Sequence, residues 1–219
     1  MRKFVTVLGV LSMLALASAA FAQEEAHFEG YWQGNPAPPI ASLLAGRGLV
    51  TALYPPLVSN FVANEYTWTM TGLQVVGTSM SGTTEYVAYN LAGAQFTIYE
   101  DATQNARPTF YNCPSDIVGV DPRYSNGNIY LRGHYTQFNT SFDFGTSTGT
   151  FTAQLNWDSG THLTDLPPAR RGAWKFGGTT SFSLACIPAN YDIAMTGRIF
   201  QVTTDAANST WGQLKKMYR

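Results

Sequence analysis

The sequence predicts an all-β protein: a single domain of six or more long antiparallel strands, bent at glycines into a small barrel or strongly coiled sandwich, largely a meander. Three observations carry that expectation. Apolar and polar residues alternate with a period of two over long stretches, glycines sit near the middle of those stretches, and in most of them the apolar row changes face across the glycine.

The alternation is plainest in the second arm of the hairpin read from Asn128 to Trp157. Phe151, Ala153, Leu155 and Trp157 alternate there with Thr150, Thr152, Gln154 and Asn156, the pattern of a half-buried strand. The preceding Gly145-Thr146-Ser147-Thr148-Gly149 has the length and chemistry of a hairpin connection. In the first arm Ile129, Leu131 and Tyr135 hold odd positions, whereas Phe138, Phe142 and Phe144 hold even ones. Fully extended, the run from Ile129 to Phe144 would span about 50 Å against the roughly 20 Å of an ordinary strand. A bend is required, and Gly133 is its expected place, because glycine inside a strand commonly marks a bulge or a barrel corner.

The same behaviour recurs along the chain. Tyr66, Trp68 and Met70 give way across Gly72 to Leu73 and Val75; Val87, Tyr89 and Leu91 give way across Ala92-Gly93 to Ala94, Phe96 and Ile98. Ile193, Met195 and Ile199 are followed, after Gly197, by Phe200 and Val202. Trp174 and Phe176 are separated from Phe182 and Leu184 by Gly177-Gly178 without a change of face. Bent strands feeding two parts of one coiled sheet account for this pattern. The competing architectures are a sandwich of ten or more short strands and a transmembrane barrel. The Pro-rich N-terminal region and the basic tail oppose the second of these.

Residues 1–22 carry Arg2 and Lys3, an apolar run from Phe4 to Leu16 and then Ala20-Phe21-Ala22, the order of a secretory signal peptide with its cleavage site. The expected location is therefore secreted, periplasmic or at the cell surface. After it come an irregular Pro/Gly-rich segment (23–60), the β domain (61–204) and a C-terminal tail (205–219). No transmembrane helix is expected in the mature chain. Export also places Cys113 and Cys186 where disulfides persist, and the two are expected to be joined. Closing so long a loop adds roughly 4 kcal/mol in the chain-entropy estimate.

Composition excludes some functions. Charged residues make up 12% of the chain and the formal charge is −1, with no basic cluster to hold a nucleic acid. No C-x-x-C, zinc-spaced histidine set, G-x-S-x-G elbow or phosphate-binding glycine loop is present, so the sequence points to no catalytic residue, metal or cofactor. Two long connections hold most of the polar side chains that chemistry would use: Glu100 to Gly127, pinned by Cys113, and Asp158 to Gly172. From these and the neighbouring strands the candidate ligand-binding residues are Glu100, Asp101, Asp116, His134, Trp157 and His162.

Three function classes follow. The leading one is a non-enzymatic cell-envelope or extracellular protein that works by binding or assembly, with self-association or a saccharide as its partner. Abundant Tyr, Phe and Trp interleaved with Asn, Gln and Thr suit sugar recognition, which stacks rings on sugar faces and bonds hydroxyls. The second is a small-ligand or carbohydrate-binding barrel whose mouth is covered by the 100–127 loop as a lid. The third is a secreted hydrolase or isomerase with acids from the two long loops.

Overall fold

The computed structural model describes residues 23–106, 122–182, 187–188 and 191–201. The expected disulfide between Cys113 and Cys186, Asp116, the signal segment and the tail from 205 onward all lie outside the described residues. By its internal contacts the chain divides into two units. The described residues Gln23 and Gln201 fall in one; the other, Glu24–Phe200, is the β domain.

Nine strands occur among the described residues: β1 (Gln23–Gln33), β2 (Leu43–Leu53), β3 (Glu65–Ser81), β4 (Thr84–Asn90), β5 (Gln95–Asp101), β6 (Asn128–Asp143), β7 (Thr148–Ser159), β8 (Trp174–Ser181) and β9 (Ile193–Gln201). The sheet runs β2-β1-β9-β8-β7-β6-β4-β3-β5, with β2 also paired to β3 and β6 to β5. These pairings close it into an eight-stranded antiparallel barrel, β1-β2-β3-β5-β6-β7-β8-β9 and back to β1. The extra strand, β4, continues β5 in line: the first half of β3 pairs with β5 as far as Thr71↔Gln95, and the second half pairs with β4 from Gln74↔Asn90. Counted as one interrupted strand, β4 and β5 make the order a complete meander.

The corner between those halves is built from two glycines. Gly72 and Gly93 adopt φ of 81° and 78°, in the left-handed region that other residues avoid. A Cβ on Gly72 would lie 2.6 Å from the Gly93 carbonyl oxygen, so the close approach also demands it. Here the expected change of face occurs as the sequence pattern indicated.

In two places the detail differs. On β6 the pairing with β7 is irregular at the expected place, between Arg132 and Gly133, but Gly133 still points inward with Leu131 and Tyr135, and the face changes three residues later. Tyr135 pairs with Leu155 and Gln137 with Gln154, so Thr136 is the extra residue of a bulge. On β9 there is no change of face at Gly197: its register with β8 runs unbroken from Phe200 to Ala194. Gly197 is glycine because a Cβ there would meet the Phe28 and Phe151 rings at 2.7 and 3.0 Å.

The N-terminal segment 23–60, expected to be irregular, contains β1 and β2. Gly30 and Gly48 face each other across that pair. Their missing side chains let the two backbones and the Trp68 ring meet, because a Cβ on Gly30 would stand 2.3 Å from Trp68 Cζ2. Glycine is a packing residue here and breaks no strand.

The inward rows fill the barrel with aromatic rings. Phe28 stacks on Phe176 at 4.6 Å and Trp68 on Phe96 at 5.5 Å; Phe96 and Phe151 approach Phe176 at 5.0 and 5.2 Å; Trp32 meets Phe151 edge-on at 5.0 Å. These are separations at which aromatic pairs attract beyond simple burial. Leu57 from the β2–β3 connection and Leu166 from the β7–β8 connection join the same core. A cavity between Leu44, Val75, Tyr89 and Phe142 measures about 10 Å³, room for one water at most.

The outward row of β7 is polar: Thr148, Thr150, Thr152, Gln154 and Asn156. A strand facing lipid would show the reverse arrangement. No helix among the described residues is long and apolar enough to cross a membrane. The described ends of the 100–127 connection lie against the outer side of the sheet. Ala106 N–H donates to Glu65 Oε1 at 2.8 Å, Thr67 Oγ1 donates to the Tyr124 carbonyl at 3.0 Å, and Ala106 and Tyr124 pack with Tyr31, Leu49, Tyr191 and Ala194.

Candidate functional site

Two of the six residues singled out from the sequence come together. Glu100 is the penultimate residue of β5 and His162 lies early in the β7–β8 connection, and the barrel brings both to the end where β3 and β6 begin. Asp165 Oδ2 lies 2.6 Å from His162 Nδ1, and the imidazole stacks on Tyr130 with ring centres 4.1 Å apart. That leaves His162 Nε2 3.7 Å from Glu100 Oε2. The other oxygen of Glu100 accepts from Asn64 Nδ2 at 2.6 Å and from the Tyr66 hydroxyl at 2.7 Å.

Burial first, and then the bond to the Glu100 carboxylate, raises the Tyr66 pKa above that of a free phenol. Burial likewise raises Tyr130, whose hydroxyl donates to the Val58 carbonyl at 2.8 Å. A His oriented by Asp beside a carboxylate is the kind of set that moves protons. Here, however, Glu100 is engaged in tying the 54–64 connection to the sheet.

The other candidates lie apart. Asp101 turns back on its own loop, accepting from the Thr103 N–H at 2.9 Å and from the Thr103 hydroxyl. His134 is on the outer side of β6, half-exposed, with Nδ1 2.7 Å from Asp158 Oδ2. Trp157 belongs to the core, edge-on to Trp174 at 5.9 Å. Among the described residues no three His, Cys, Asp or Glu side chains gather in a way that would hold a metal ion.

A different surface has the geometry of a binding site. From β4 across β6, β7 and β8 to β9 the register runs without a bulge over three successive outward rows. The first is Thr84–Asp143–Thr148–Ser181–Ala194, the second Tyr86–Ser141–Thr150–Thr179–Thr196, and the third Ala88–Asn139–Thr152–Gly177–Arg198. Neighbouring hydroxyls in the second row touch: Ser141 Oγ and Thr150 Oγ1 are 2.9 Å apart, Thr179 Oγ1 and Thr196 Oγ1 3.4 Å.

A groove of about 730 Å³ runs over the first two rows and reaches Glu29 and Tyr31 of β1. A second of about 460 Å³, floored by Gly177, Gly178 and Gly197, adjoins it at Glu29, Thr179 and Thr196. At the upper edge Asp143 accepts from the Thr83 hydroxyl at 2.7 Å and the Gly145 N–H at 2.8 Å, and these bonds lower its pKa. The individual outward threonines are visible in the sequence; their alignment across five strands depends on a register that the sequence does not display.

No family model matches the chain, and no curated protein or solved structure matches it.

Proposed function

We propose that the protein is an exported, non-enzymatic binding protein of the cell envelope or extracellular space, and that it takes an uncharged, hydroxyl-rich partner on the outer face of β4, β6, β7, β8 and β9. The observation that carries this reading is the row of hydroxyl side chains Ser141–Thr150–Thr179–Thr196, across β6 to β9, lying under a groove of about 730 Å³. Threonine offers a methyl group and a hydroxyl side by side, so such a floor provides both apolar contact and donor–acceptor pairs. The aromatic packing supports an outer site, since it leaves little room within the barrel for a ligand. The N-terminal order of charge, apolar run and small residues supports export.

The test is a thermal-unfolding screen with soluble neutral saccharides, alongside heparin as an anionic probe. A saccharide present at about a hundred times its Kd stabilises by roughly 2.7 kcal/mol, which raises Tm by about 5–10 °C for a domain of this size. That rise is expected for the unmodified protein and absent for Thr150→Trp, whose own Tm without ligand stays within about 2 °C. A response to heparin alone, no response to any saccharide, or an equal response from Thr150→Trp would contradict the proposal.

A further inference from the structure

We infer that the free edge of β3 beyond Val75 is a pairing surface for a second copy of this chain, joined antiparallel across a two-fold axis at Ser79.

β3 outruns its neighbour in the barrel wall. β2 pairs with it only as far as Leu43↔Gln74. One step on, Val75 bonds to the 34–42 connection: its N–H donates to the Ser42 carbonyl at 2.9 Å, and its carbonyl accepts from the Ala41 N–H at 2.8 Å. From Val76 to Ser81 the described residues supply a partner strand on one side, β4, and none on the other.

The hairpin determines which backbone groups are left over. Gly82-Thr83 is a two-residue turn with Gly82 at φ 62°, so its closing pair Ser81↔Thr84 is hydrogen-bonded, and by alternation so is Ser79↔Tyr86. Thr78 and Met80 fall between these pairs and turn both N–H and C=O out of the sheet edge. Two antiparallel copies that set Thr78 opposite Met80, and Met80 opposite Thr78, satisfy every one of these groups. A register two residues away in either direction sets one of them against the irregular backbone at Val76 or the turn at Gly82.

The edge also lacks what keeps like edges apart. Residues 71–84 contain no charged side chain and no proline, the usual devices against edge-to-edge pairing, so two copies meet without like-charge repulsion. Five of the nine large hydrophobic residues that are well exposed among the described residues gather here. Val76 and Met80 lie on the edge, Tyr86 on the strand beside it, and Ile40 and Leu43 next to the point where β2 leaves it. A two-fold contact uses that patch twice. So short an edge buries less than about 1,200 Å², which is the size of weak, reversible complexes.

The experiment is sedimentation of the full chain over about 5–500 µM, where the unmodified protein should pass from monomer to dimer with a Kd of about 10–100 µM. Thr78→Pro removes an N–H that faces away from β4, so Tm should stay within about 2 °C, while the dimer weakens at least about thirtyfold. Ser79→Lys places two ammonium groups against each other on the axis and should weaken the dimer about fivefold. An equal mixture of Ser79→Lys with Ser79→Glu should restore association. Ser79→Cys should give a covalent dimer on mild oxidation, because a non-hydrogen-bonded antiparallel pair sets its Cα atoms about 4.5 Å apart, within disulfide reach. Ser81→Cys, two residues from the axis, should not exceed the unmodified protein in cross-linking. A chain that stays monomeric at the highest concentration would overturn the inference. So would a dimer that Thr78→Pro and the Ser79 charge pair leave unchanged, or one that Ser81→Cys links as readily as Ser79→Cys. None of these outcomes bears on the saccharide reading, which rests on the groove.

Discussion

Gly30→Val is expected to abolish cooperative folding. A Cβ at this position would lie 2.3 Å from the Arg47 carbonyl oxygen and 2.3 Å from Trp68 Cζ2, and the facing Gly48 already approaches so closely that its own Cβ would be 2.5 Å from Gly30 Cα. None of these neighbours can retreat. The Arg47 carbonyl belongs to β2, and the Trp68 indole is held by its N–H donating to the Glu29 carbonyl at 3.0 Å and by stacking on Phe96. Overpacking normally costs about 1–3 kcal/mol, but with backbone on one side and a fixed ring on the other the cost exceeds about 4 kcal/mol. That is most of the stability of a marginal domain. The check is a denaturant melt, which should lose its sigmoidal transition. Gly77→Ala is the control: a Cβ there meets nothing within 4 Å, and the melt should stay within about 0.5 kcal/mol of the unmodified protein.

Trp68→Ala is expected to lower stability by about 3–5 kcal/mol, the usual range for removing a buried Trp. Trp68 has no exposed surface and touches both Phe28 and Phe96, so its loss unseats the central stack and not just one contact. For a chain of this length that corresponds to a fall in Tm of roughly 10 °C. Trp68→Phe keeps much of the ring area but leaves the Glu29 carbonyl without its indole donor, and should cost about half as much. A fall of less than about 3 °C for Trp68→Ala would mean that the interior is loosely filled.

These two positions also show where the sequence was legible. Trp68 lies in a run, Tyr66, Trp68 and Met70, whose period of two identifies an inward row without any knowledge of partners. Gly72 and Ala92-Gly93 could be read as a corner because a strand that changes face must contain an irregularity, and glycine tolerates one best. Gly30, Gly46 and Gly48 carry the same local signal but a different cause. They lie inside β1 and β2, where the Trp32 and Trp68 rings or the facing backbone occupy the space of their side chains. A glycine vacated for a distant tryptophan looks, in sequence, like a glycine that breaks a strand, and Pro36, Pro38 and Pro39 in the neighbouring connection strengthened that impression. The bulge at Thr136 was hidden for a similar reason: threonine carries no mark of irregularity, and Gly133 nearby offered a cheaper explanation.

Of the candidate site, His162 and Glu100 were recognisable as polar residues on long connections, but their approach depends on how the barrel closes. Asn64 and Tyr66, which engage Glu100, carry no signal of their own. The outer array was the least visible feature. Thr150, Thr179 and Thr196 are each an ordinary outward residue, and only the regular stretch of pairing beyond the Thr136 bulge lines them up.

The most direct measurement is a two-dimensional NMR titration with the neutral saccharide that raises Tm most, following the backbone amides of Ser141, Thr150, Thr179 and Thr196 together with the indole N–H signals of Trp32, Trp68, Trp157 and Trp174. The amides of the outer row are expected to shift with saturation, while the four buried indoles stay in place. Shifts confined to the indoles, with the outer amides unmoved, would mean that the ligand enters the barrel and would contradict a filled interior with its binding surface outside.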